Sequence, residues 1–247
     1  MTPPTCTITP TGTITNASAA SGNAGSIIFY GDLSGFQGTF SYQNLQSVLN
    51  FRFGPNTGST ASPLTATVDA SQAKFVIRTN GVPTKPVALT DNMSGSTLKM
   101  GELSGDGVMA GSFQGSGTQN VNTYEIGYLN TDKTFSGSFG RTATLANSTS
   151  ERNCGITKVG TGSLTLDGPL SAYTGITAVR DGKLIVGAAV TAGSAGPLGT
   201  ASSGILVGDD TSISGNLNPA LLIGGAFAVN RAVTVGTNNN ATTGTFT

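Results

Sequence analysis

Short runs of alternating apolar and polar residues, separated by glycine and asparagine, recur along the whole chain. Ser26-Ile27-Ile28-Phe29-Tyr30, Thr39-Phe40-Ser41-Tyr42, Lys74-Phe75-Val76-Ile77-Arg78 and Thr123-Tyr124-Glu125-Ile126 alternate with a period of two. That period sends every second side chain to one face and predicts β-strands. The segment 42–53 spaces its apolar residues near a helical period and then alternates, which leaves open a helical turn before a strand. Further on, Ile185-Val186-Gly187, Leu206-Val207-Gly208, Leu222-Ile223-Gly224 and Thr234-Val235-Gly236 each end a short apolar strand with glycine, where a tight corner is easiest.

Internal similarity orders these strands. Gly31-Asp32-Leu33-Ser34-Gly35, Gly101-Glu102-Leu103-Ser104-Gly105 and Gly127-Tyr128-Leu129-Asn130 share a frame, and each is followed by an element that opens on Phe, at Phe36, Phe113 and Phe135. The second and third frames lie one plausible solenoid turn apart, which predicts that Leu103 stacks on Leu129. Stacked turns share an apolar interior, so each needs its neighbours. The irregular spacing of the glycine-ended strands suits a solenoid with uneven loops. Asn80-Gly81, Asp106-Gly107, Asp167-Gly168 and Asp181-Gly182 are hairpin-type dipeptides, so antiparallel pairing stays open.

Composition narrows the class. Charged residues make up 10% of the 247 and the formal net charge is zero, while hydrophobic residues reach 37%. A chain with that much apolar content and no net charge folds. Its wealth of Thr, Ser, Gly and Asn favours strands and turns over helices, predicting an all-β fold. Twelve basic residues without a basic stripe argue against nucleic acid as a partner. No apolar run is long enough to span a bilayer as a helix. Thirteen of the sixteen Phe and Tyr residues fall between Phe29 and Phe139. This predicts an aromatic-rich β region over 1–143, either early solenoid turns or a separate β domain, followed by a repeat region over 144–247 that breaks off mid-pattern.

The chain has two cysteines and no histidine. Without His or a CxxC pair the common zinc sites are excluded, and neither a metal nor a cofactor is expected. A disulfide between Cys6 and Cys154 is expected, worth about 4 to 5 kcal/mol in the chain-entropy model. It would fit an exported protein. The absence of His also removes a Ser-His-Asp triad and Cys-His activation. The acids are scattered, and Asp209-Asp210 reads as a solvated turn, so no catalytic residue is predicted. Gly111-Ser112-Phe113-Gln114-Gly115-Ser116-Gly117 lacks the GK[ST] ending of a phosphate-binding loop. Flat aromatic rings amid Asn and Gln remain the strongest chemistry. Tyr30, Tyr42, Tyr124 and Tyr128 are the candidate ligand-binding residues, for an extracellular polysaccharide or a cell-surface ligand. The competing reading has the tyrosines covering the interior with their hydroxyls wet. Tyr128 is the one expected to face outward.

Residues 155 to 187 carry a recognisable pattern. Thr157-Lys158-Val159-Gly160-Thr161-Gly162-Ser163-Leu164-Thr165-Leu166-Asp167-Gly168, then Tyr173-Thr174-Gly175-Ile176-Thr177-Ala178-Val179, then Gly182-Lys183-Leu184-Ile185-Val186, resembles the autotransporter-associated β-strand repeat, also called the passenger-associated transport repeat. Ile176 stands where that repeat commonly has Gly, and Pro169-Leu170 replaces its polar approach to Tyr173. The resemblance implies a right-handed parallel β-helix, exported and displayed at the bacterial cell surface, and supplies no catalytic residues. The expected role is a structural, display or adhesion module. The rivals are a carbohydrate-binding accessory module and, further behind, a β-helical polysaccharide lyase or hydrolase. Open β edges at the ends of such a stack predict end-to-end self-association.

Overall fold

The computed structural model describes residues 13–18, 26–29, 33–44, 50–53, 67–78, 89–91, 95–112, 121–140 and 149–236. Among them the regular elements are β-strands, apart from one 3-10 turn and one short helix. The first part contributes β1 (Thr13–Ser18), β2 (Ser26–Phe29), β3 (Thr39–Asn44), β4 (Asn50–Phe53), β5 (Thr67–Arg78), β6 (Leu89–Asp91), β7 (Thr97–Gly105) and β8 (Val108–Ser112). Next come β9 (Asn122–Ile126), β10 (Lys133–Phe135), β11 (Ser138–Phe139), a 3-10 turn at Thr149–Arg152, β12 (Cys154–Lys158), β13 (Ser163–Leu166), β14 (Thr177–Val179) and β15 (Lys183–Val186). The last elements are β16 (Ile205–Val207), α1 (Asp210–Ser214), β17 (Ala220–Ile223) and β18 (Val233–Val235).

Every named strand pair is parallel. A large curled sheet runs β1, β3, β5, β7 and there forks: one branch continues through β9, β12, β14, β16 and β18, the other through β10, β13, β15 and β17. A second sheet is ordered β11, β8, β6, β4, β2. Neighbours within a row are never consecutive in the chain, as parallel pairing requires. The Asp-Gly dipeptides therefore serve as corners between rows: Asp106-Gly107 lies between β7 and β8, and Asp181-Gly182 between β14 and β15. Asn80-Gly81 lies outside the described residues.

The row structure also explains the irregular spacing of the glycine-ended strands. All four are strands, but β15 and β17 belong to one branch while β16 and β18 belong to the other. Consecutive members were never stacked on each other. The sheet crosses the expected boundary near residue 144, because β9 pairs with β12 from Asn122↔Cys154 to Ile126↔Lys158.

In-register pairing turns the alternating pattern into side-chain ladders. Phe40, Phe75 and Leu103 lie over one another and are wholly buried. Phe29, Phe36 and Phe53 pack around them with ring centroids 4.8 to 5.8 Å apart. A second ladder runs Tyr42, Ile77, Gly105, Phe135, Leu166, Val186. A third runs Leu98, Tyr124, Ile156, Thr177, Ile205. Buried polar groups in these ladders find partners, as they must in a low-dielectric interior. The Tyr173 hydroxyl meets Thr177 Oγ1 at 2.7 Å, and burial raises its pKa to about 12. On β17 and β18 Leu222, Ile223, Val233 and Val235 are exposed, although the ladder partners of Ile223 and Val233, Val186 and Ile205, are fully buried.

The fork arises at a corner. Thr97–Met100 pair with Thr123–Ile126, the expected turn-to-turn offset, but the chain then leaves the sheet through 127–132 and rejoins with Phe135 opposite Gly105. Leu129 consequently does not stack on Leu103. Its N–H donates to Gly101 O at 2.9 Å, and its side chain lies where a Cβ on residue 101 would sit, 2.8 Å from that position. Gly101 is thus required by close approach from both sides, since the same Cβ would come within 2.4 Å of Ala73 O.

Among the described residues no helix is long and apolar enough to cross a membrane. Phe75 sits at the centre of the aromatic cluster, so Phe75→Ala should cost about 3 to 5 kcal/mol. Denaturant unfolding monitored by circular dichroism checks this; a loss under about 1 kcal/mol would contradict the shared-interior packing.

Candidate functional site

A chain with so few charged residues places many of them together at the corner where the sheet forks. Outward positions on β5, β7 and β9 put Asp69, Lys99 and Glu125 in one row by register. Lys99 pairs with Asp69 at 3.8 Å and lies 5.8 Å from the centroid of the Tyr128 ring. Tyr128, on the departing turn, donates its hydroxyl to Glu125 Oε2 at 2.5 Å. Arg180, just past β14, donates through Nη1 to Glu125 Oε1 at 2.8 Å and through Nε to Asp209 Oδ2 at 2.9 Å. One guanidinium therefore ties β9 to the connection that follows β16, passing over the intervening turn.

Beside this row, Glu102 is almost fully buried against the fork. It accepts a hydrogen bond from Thr131 Oγ1 at 2.7 Å and pairs with Lys133 at 3.4 Å. The turn itself is held to the next one by side-chain caps. Asn130 Oδ1 accepts from Thr161 N at 2.8 Å, and Asp132 Oδ1 accepts from Ser163 N at 2.8 Å. Asp209 caps α1 by accepting from Ser212 N at 2.9 Å, while Ser212 Oγ reaches back to Arg180 O at 2.7 Å.

The electrostatics follow from these contacts. Burial opposes ionisation of Asp209, but the bonds from Arg180 and Ser212 outweigh it and hold its carboxyl below the ordinary value. Burial, with the hydrogen bond to Glu125, raises the Tyr128 phenol well above its usual range. At neutral pH that hydroxyl is a donor and not a base. Glu125 and Asp209 are both committed to Arg180, so neither stands as a free general base in this arrangement.

Beneath the corner lies Lys158, the lysine of the repeat-like motif. It occupies an interior ladder position between Ile126 and Val179 and is 1% exposed. Its ammonium donates to the carbonyls of Val159, Gly160 and Asp181 at 2.6, 2.7 and 3.2 Å. Burial pulls its pKa down to about 8, against the attraction of Asp181 and Asp132. Gly127, at φ +123°, lets the Tyr128 turn close over this group; a Cβ there would fall 2.1 Å from Val159 O.

The candidate tyrosines separate on burial. Tyr42 is 2% exposed and Tyr124 is 0% exposed with its hydroxyl on Ala110 O at 2.5 Å. Neither can offer a ring face to a ligand: the strand alternation that placed them turns both inward, and Tyr124 has its hydroxyl bonded in the interior instead of wet. Tyr128 is half-buried at the charged corner. Tyr30 and Cys6 lie outside the described residues. Cys154 is a free, fully buried thiol with its pKa raised by burial. Asp209, expected in a solvated turn, is instead bonded on both oxygens. Sequence reasoning missed Glu125, Lys99, Arg180 and Lys158; laying the strands over one another in register sets Lys99 beside Glu125, while Arg180 lies two residues beyond Ala178, the position of β14 in that row. No protein-family model, curated protein or solved structure matches the chain.

Arg180→Met should cost about 1 to 2 kcal/mol, less than a fully buried charge-assisted pair because solvent reaches the guanidinium. The stability of the folded chain depends on pH from two sides. The lowered Asp209 pKa contributes stability above about pH 4, the unfolded value, which is lost as pH falls through the folded value. For Lys158 the unfolded chain binds more protons between its folded value of about 8 and the ordinary 10.5, so its contribution rises with pH across that window. Cys154 and Tyr173, with raised values, act in the opposite sense. The difference in unfolding free energy between wild type and Lys158→Met, measured from pH 7 to 10, should therefore grow in favour of the wild type. A flat difference would contradict the buried ammonium.

Proposed function

We propose that this chain is a non-catalytic structural module of an exported bacterial surface protein, a right-handed parallel β-helix that spaces, displays or adheres. The observation that carries this reading is the uninterrupted parallel stacking from β1 to β18 around shared interior ladders. Such a stack grows by adding turns, and its outer faces of Thr, Ser and Asn can be lengthened without a new core. The motif at residues 155 to 187, with its resemblance to the autotransporter-associated repeat, supports export and display. The charged groups at the corner are spent on one another, which suits a scaffold.

The test is display. Placed between a signal peptide and an outer-membrane translocator barrel in a Gram-negative host, the chain is expected to become accessible to external protease on intact cells. Retention inside cells of a chain that folds in vitro would sink the proposal.

A second reading, a carbohydrate-binding accessory module, is favoured by Tyr128. Among the described tyrosines it alone keeps its ring out of the interior, and it is flanked by Lys99, Glu125 and Arg180. A pyranose face can stack on such a ring while neighbouring charges meet its hydroxyls. Pull-down on plant, algal and bacterial polysaccharides is expected to capture the wild type and to lose at least tenfold in affinity with Tyr128→Ala. Equal capture of the two proteins would remove Tyr128 from the site, and blank retention would remove the reading.

A further inference from the structure

Lys158 stands at an apolar position of its ladder, with Ile126 on one side and Val179 on the other. A charge buried there is tolerated only because its donors are met. The acceptors are three backbone carbonyls from two successive corners: Val159 and Gly160 from the turn after β12, and Asp181 from the turn after β14. These carbonyls converge because both corners bend the same way over the same point. The corner thus orients several backbone dipoles toward one spot, the arrangement by which carbonyl oxygens replace the hydration shell of a monovalent cation. The carboxylates that bear on the ammonium, Asp181 and Asp132, act by longer-range attraction. Asp181 Oδ1 instead accepts from Gly182 N and Asn218 N. A site of carbonyls without a direct carboxylate ligand does not suit a divalent ion, which takes carboxylate oxygens.

We propose that the corner formed by the carbonyls of Val159, Gly160 and Asp181 is a monovalent-cation site, which the chain fills with its own ammonium. The ligand class is an ion of ammonium or potassium size. In the native protein the tethered cation makes the corner under Tyr128 and Arg180 independent of ions in the medium. Shortening the side chain converts the same corner into an ion-dependent one.

The experiment uses the full chain with Lys158→Ala and thermal unfolding at constant ionic strength in choline, ammonium or potassium chloride. The midpoint of the variant is expected to fall in choline and to recover saturably in ammonium and potassium, while the wild type shows no such difference. Lys158→Met fills the space with an uncharged side chain and is expected to remain low in all three salts. A variant that unfolds in choline but folds in ammonium or potassium supports the proposal. Recovery no greater than in choline, failure to fold in any salt, or an equal ammonium response from Lys158→Met overturns it.

Discussion

The hydrogen bonding of each strand to the strand one turn away, parallel and in register, is the constraint from which the rest follows. A strand in this sheet has no partner nearby in sequence, so its N–H and C=O groups are satisfied only when the next turn is laid over it. Register then dictates side-chain identity: what stands inward in one turn must be compatible with what stands inward above and below it. The Phe40, Phe75, Leu103 ladder and the leucine stack of Leu164, Leu184 and Leu221 meet that demand with apolar volume. Lys158 meets it by delivering its charge to carbonyls at the corner.

Corners are freer than strands, and the chemistry of the molecule gathers there. At the fork the chain adds a turn that the preceding layer lacks, and the added residues bring Tyr128, Asn130 and Asp132 outward. Because strands fix the spacing between layers, side chains at equivalent corners come within reach of one another across turns distant in sequence. Arg180 and Glu125 are 55 residues apart and hydrogen-bonded. Solvent at the guanidinium limits its contribution to about 1 to 2 kcal/mol, and it holds two corners in a fixed relation.

Much of the strand content was legible in alternation and in glycine-ended apolar runs, because these patterns record burial directly. Which strand lies on which was harder to read. The frame shared by residues 101 and 127 has the right offset, yet it fails beyond Met100 because Leu129 fills the space over Gly101 instead of continuing the sheet. Tyrosine was misleading for a similar reason: its amphipathic side chain fits either face, and only the register shows that Tyr42 and Tyr124 point in. Lys158 gave no sign of burial, since its position is defined by Ile126 and Val179 in other turns. The charged corner was hidden by scatter along the chain, and becomes one place only when the turns are stacked.

The connection between β16 and β17 bears on how such a molecule changes over time. The corners after β12 and β14 take four and three residues, whereas this one contains all of α1, and still β17 meets β15 with no slip from Lys183↔Ala220 to Val186↔Ile223. Length added at this corner is absorbed outside the sheet, where Asp209 and Ser212 cap α1 and moor it to Arg180 at the corner of the neighbouring layer. An insertion between α1 and Asn218 keeps those moorings and the strand register on either side, so new surface can be acquired here by lengthening a loop while the stack that carries it stays as it was.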